Sequence, residues 1–165
     1  MKWSIQQLRK IQKFPFAFNE TIDFSEYAND VEDILGIDPV NVSGNIYKID
    51  EETYRFCYHI SVNLTLQCAL TLDPVPYLME KDYDEIFGKD EKTSENDNYF
   101  IVEKNTINLL YVVWTNILIE KPINVTLPNA YDILKERGIV LDDTISLDND
   151  EEILFYSDGM EEEEK

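Results

Sequence analysis

Residues 54–72 read YRFCYHISVNLTLQCALTL. Tyr54, Phe56, Tyr58, Ile60, Val62, Leu64, Leu66, Cys68 and Leu70 are apolar, and Arg55, His59, Ser61, Asn63, Thr65 and Gln67 stand between them. Alternation with period two marks a strand with one buried face. The length is the difficulty. Fully extended, residues 54–70 would reach roughly 55 Å at about 3.3 Å per residue. A compact domain of this size is only about 40 Å across, and ordinary strands stop at about 10 residues. Such a strand must coil or bend and share its length between two parts of a curved sheet. The expected fold is α+β: a coiled antiparallel β-sheet or small barrel-like core, with a few short helices packed on it. A bulge splitting 54–70 into two strands is the alternative.

Composition supports a real core. The chain has 165 residues, 44% of them hydrophobic, which favours one domain with appendages. No apolar run approaches the roughly 20 residues that span a bilayer. The opening MKWSIQQLRKIQKF has no apolar h-region, so a cytoplasmic, non-membrane protein is expected. Cys57 and Cys68 point to opposite faces of one strand, so they cannot join in a disulfide within it. The net charge of −20 is clustered, with eleven acids against one base over residues 142–165. Clustered negative charge leaves basic proteins, cations or RNA reached through a basic face as partners.

Residues 4–13 read as a short helix with Ser4 as N-cap and Ile5, Leu8 and Ile11 on one side. Arg9, Lys10 and Lys13, with Lys2 nearby, form the one basic island before Glu20. Their plainest account is a solvated helix face; the functional one is contact with phosphates. Residues 14–24 suit an edge strand because Pro15 cannot donate to a ladder. A short helix after Ser25 ends at Gly36. Residues 40–49 form a hairpin with the long strand, bulged at Gly44. After Pro74 and Pro76 the pattern breaks, and residues 80–98 read as an acidic mobile loop. Strand character returns near 99–104. NLLYVVWTNILI, 108–119, is read as a helix capped by Asn108 and stopped before Pro122. A last helix, 129–137, closes at Gly138. The expected division is a domain over 1–141 and an acidic tail over 142–165.

Chemistry-bearing patterns are sparse. His59 lies two residues from Cys57 on one strand face, roughly 7 Å away in extended backbone. A nucleophile pair also needs an orienting group and an oxyanion hole, so no catalytic residue is assigned and no enzyme is expected. Two Cys and one His lack zinc spacing, and the Asp clusters at 142–150 lack the EF-hand pattern. No nucleotide-binding or RNP1 motif occurs. No metal or cofactor is expected.

CALTLDPV, 68–75, resembles the Cys-x-Arg-x-Leu-x-Pro-Val segment of the YceD-like family of large ribosomal RNA subunit accumulation proteins, with Cys68, Leu72 and Pro74 at motif positions. KWSIQQL, FAFNETIDF, VNVSGNI and INLLYVVWTNILIEKP resemble other family segments, in order, over residues 2–122. No single motif is specific; their order carries the resemblance. Leu70 stands where the family has Arg, and Asn108 where it has Asp. A C-terminal cysteine segment is absent. These departures remove an RNA contact at Leu70 and a metal cluster. The resemblance implies a non-enzymatic factor supporting 23S rRNA accumulation and large-subunit assembly.

Two mechanisms then compete. In one, Lys2, Arg9, Lys10, Lys13 and Arg55 bind rRNA weakly and with steep salt dependence. In the other, the acidic regions shield a basic ribosomal protein during assembly, and charge favours this one. Rivals outside the ribosome are an acidic binding module for an unrelated basic protein, either a chaperone or a nucleic-acid mimic, and a hydrolase built on Cys57 and His59.

Overall fold

The computed structural model describes residues 1–90 and 98–139. Two compact units share the chain. Among the described residues, the first is built from 1–22, 39–61, 80–90 and 98–120, the second from 23–38, 62–79 and 121–139. The tail over 142–165 and residues 91–97 of the expected acidic loop lie outside the described residues.

The long strand forms, and it resolves its length by serving both units. It is β5, Tyr54–Gln67. Its first half pairs antiparallel with β4, Val40–Lys48, from Lys48↔Tyr54 to Asn41↔Ser61. Its second half pairs antiparallel with β3, Ile34–Ile37, from Ile37↔Leu64 to Ile34↔Leu66. The buried phase from Tyr54 to Cys68 is as the alternation predicts, each residue at most 3% exposed. The strand itself stops at Gln67, and Cys68 makes an isolated parallel bridge to Val125.

In the first unit, β1 (Lys2–Ser4) leads into α1 (Ile5–Arg9). Ser4 caps it as expected, its Oγ accepting from the Gln7 N–H at 3.1 Å while Gln7 Oε1 accepts from the Ser4 N–H at 2.9 Å. This reciprocal pair satisfies two of the orphan N–H groups of the first turn. The helix is shorter than the expected 4–13, ending at Arg9 with Lys10 as its C-cap, and extended backbone resumes in β2 (Phe16–Ile22). β2 pairs with β4 and ends the sheet, the edge position that Pro15 implied. An aromatic core forms on the inner face, with Trp3, Phe18, Phe56 and Phe87 in successive ring contacts of 5.1–6.2 Å between centroids.

Several expectations are corrected. Gly44 is no bulge, since register runs unbroken on both sides of it. It occupies the inward phase where a Cβ would sit 2.1 Å from the Cys57 carbonyl oxygen, so glycine answers a close backbone approach. Residues 34–37 are strand, not the end of a helix; α2 is only Ser25–Ala28. Ser25 is inside that helix and its N–H donates to Asp23. Residues 80–88 are not loop, because β6 runs from Pro74 to Gly88. Its inward residues Val75, Met79 and Phe87 are buried in a strand whose four acids, Glu80, Asp82, Asp84 and Glu85, hide the alternation from composition. The sheet is also mixed, since β7 (Tyr99–Ile101) runs parallel to β6. The path β2-β4-β5-β6-β7 is open, so the α+β class holds but no barrel closes among the described residues.

β8 (Thr106–Asn108) pairs with β1 and hands over to α3, Leu109–Glu120, the helix expected there. α4, Ala130–Glu136, follows in the second unit, and Gly138 closes it at φ +76°.

Candidate functional site

The basic island is partly neutralised from within. Arg9 donates through Nε to the Glu51 carbonyl at 2.9 Å and lies 3.2 Å from Glu52 Oε1. Lys89 reaches the same Glu52 oxygen at 3.1 Å, and Lys48 pairs with Glu51. The β4–β5 turn thus gathers three cations around two carboxylates. Lys2, Lys10 and Lys13 are exposed and make no ion pair among the described residues. Lys48 and Lys89 were missed by sequence reasoning, because only the β4–β5–β6 pairing brings them to Arg9.

Arg55 does not join this group. Its guanidinium grips both oxygens of Asp84 on β6, a bidentate pair that pulls the Asp84 carboxyl below its ordinary range and holds Arg55 charged. Further along the same face, His59 Nδ1 is 2.8 Å from Asp82 and Ser61 Oγ is 3.4 Å from Glu80. Cys57 and His59 therefore turn to different carboxylates. Burial, followed by Asp84, pushes the Cys57 thiol up, away from the thiolate that nucleophilic catalysis needs.

A buried polar centre lies on the opposite face of β6. Glu85 is 5% exposed. It accepts from the Tyr58 hydroxyl at 2.5 Å and from Asn116 Nδ2 of α3 at 2.9 Å. Burial pushes its carboxyl up against those two donors, and burial with the nearby Glu85 pushes Tyr58 up as well. Tyr83 stacks on Tyr58 at 5.4 Å, and its buried hydroxyl has no partner among the described residues.

The second unit holds CALTLDPV as a tied loop. Cys68 donates its N–H to the Asp73 carbonyl at 2.8 Å, and Leu72 donates to the Cys68 carbonyl at 3.0 Å. Arg137, just past α4, donates to the Thr71 carbonyl at 3.0 Å and to both Asp73 carboxylate oxygens at 2.7 and 2.8 Å. That contact, then the Thr71 hydroxyl, holds the Asp73 carboxyl below its ordinary range. Cys68 is fully buried. Burial raises its thiol, but hydrogen bonds from Thr71, Leu127 and Leu70 together outweigh this and lower it. Leu72 and Pro74 are exposed. Among the described residues no group of three or more His, Cys, Asp or Glu is placed to hold a metal, and no helix is long and apolar enough to cross a membrane.

The family described as large ribosomal RNA subunit accumulation protein YceD matches residues 56–163. The chain belongs to the YceD family. A Bacillus subtilis (strain 168) protein, named uncharacterized protein YlbN, is 36% identical over 126 residues, 76% of this chain and 73% of that protein. No solved structure matches. The YceD match begins inside β5 and includes the tied loop, β6, α3 and α4, so it covers Arg55's partner Asp84 but not Lys2, Arg9, Lys10 or Lys13. It also continues past residue 141, into the segment expected to be a separate tail. The family description names a role in accumulation of large-subunit ribosomal RNA, not a reaction.

Proposed function

We propose that this YceD-family chain is a cytoplasmic, non-enzymatic factor for 23S rRNA accumulation and large-subunit assembly, and that it works by holding a basic ribosomal protein through complementary charge. The observation that carries this reading is the fate of the two arginines expected to touch RNA. Arg9 and Arg55 are both engaged by carboxylates of the chain itself, which leaves few cations to release counterions from a phosphate backbone. Eleven acids over residues 142–165 add to the negative excess. A basic protein meeting such a chain is steered in quickly and loses affinity as salt rises. In this reading residues 1–141 form the folded part and residues 142–165 an acidic extension that adds charge.

Direct contact with rRNA is the second reading, favoured by Lys2, Lys10 and Lys13 having no ion pair among the described residues. Deleting residues 142–165 separates the two. Affinity for basic large-subunit proteins drops if the chain is an escort. RNA binding stays level or improves if Lys2, Lys10 and Lys13 do the work. A deletion that changes neither interaction defeats the escort reading.

A further inference from the structure

We infer that the second unit carries the docking surface for that partner, with Leu72 as its apolar anchor; this rests on the reading that the partner is a basic protein. Leu72 has φ +63° and is 64% exposed. A branched apolar side chain is disfavoured in left-handed backbone, where Gly or Asn sits without strain. Being mostly exposed, it also gains little from burial in the free chain. Such a conformation persists only where surrounding bonds over-determine it, and here they do. The loop is closed by the Cys68 and Leu72 backbone bonds, by Ala69 N–H to the Val125 carbonyl at 2.8 Å, and by Arg137 on Thr71 and Asp73. The molecule holds an exposed leucine in place. Ile123, two residues before that Val125 contact, is 89% exposed.

Charge identifies the occupant. The described residues of this unit contain nine acids against three bases. Glu26, Asp30, Glu32 and Asp38 are exposed and make no ion pair among the described residues. Apolar anchors on an acidic unit fit a Lys/Arg-rich protein that offers an apolar pocket. RNA would be repelled by the same carboxylates.

The test uses the full chain and its Leu72→Gly, Leu72→Asn and Ile123→Ser variants. Two immobilised probes are compared: protein stripped from large ribosomal subunits with high salt, and protein-free large-subunit rRNA. The wild type is held by the protein fraction. Leu72→Gly and Leu72→Asn melt at or above the wild-type temperature yet bind about tenfold more weakly, as loss of one well-buried aliphatic anchor predicts. Ile123→Ser weakens binding less. If the wild type holds the protein fraction and both Leu72 variants match it, the docking surface is wrong and the basic-partner reading stands. If both Leu72 variants melt lower, Leu72 is structural and the inference fails. Retention by rRNA alone, or by neither probe, overturns both.

Discussion

The Tyr58 hydroxyl donates to Glu85 inside the first unit at 2.5 Å, with Asn116 on the other carboxylate oxygen. Burial raises the Glu85 pKa above its ordinary 4.5. The folded chain therefore holds this proton more tightly than the unfolded chain does. The contribution to stability is complete below the ordinary glutamate range and is lost as pH rises through the raised value. Glu85→Gln, with Asn116 turned over to accept from the new amide, is expected to be more stable than wild type at pH 7. That advantage should shrink as pH falls toward the ordinary glutamate range. Urea denaturation at several pH values reads this, and identical pH slopes in the two proteins would show that Glu85 carries no raised pKa.

Gly44 gives a sharper packing prediction. A Cβ there meets backbone, the Cys57 oxygen at 2.1 Å and Tyr58 Cα at 2.6 Å, and neither atom can swing aside. Gly36 on β3 has its nearest neighbour at 3.6 Å. Gly44→Ala is expected to lose more than about 2 kcal/mol through overpacking. Gly36→Ala should stay within about 1 kcal/mol of wild type. Equal stabilities for the two variants would mean that β4 and β5 do not approach this closely.

The tied loop predicts a local effect. Arg137→Met frees the Thr71 carbonyl and removes the cation that depresses Asp73. The Asp73 carboxyl should then titrate higher than in the wild type, with the Thr71 hydroxyl still holding it down in part, and amide exchange over residues 68–73 should quicken. Carboxyl chemical shifts followed by NMR through an acid titration check the first point. An unmoved Asp73 would mean that Arg137 is not its partner in solution.

What the sequence disclosed depended on whether short-range pattern or long-range pairing decided the feature. Ser4 with Gln7 three residues on, the 54–67 alternation and Gly138 after α4 are local signals, and each element formed. Ile34–Ile37 was misread because Val31, Ile34 and Leu35 fit a helical turn, and only pairing with Leu64–Leu66 makes that segment strand. β6 was misread because acids at 80, 82 and 84 hid a period-two phase of Met79, Tyr83, Glu85 and Phe87. The same strand carries the partner of Arg55, so missing it made Arg55 look free. Nothing local marks Leu72 for a positive φ either, since the bonds that impose it come partly from Val125 and Arg137.

Arg55→Ala tests the functional reading most directly. The Arg55–Asp84 pair is about half exposed on both sides, so solvent screens it and its loss should change stability only slightly. Asp84 should return toward the ordinary carboxylate range. The stability it adds, present above that range and lost as pH falls through its lowered value, should fade with it. The effect on binding has opposite signs under the two mechanisms. Removing one cation and unmasking one carboxylate strengthens the hold on a basic ribosomal protein and weakens any hold on rRNA. Affinities for both probes, measured at two salt concentrations, decide between them. A variant that loses affinity for the basic proteins contradicts the escort mechanism, because the change has only made the chain more acidic.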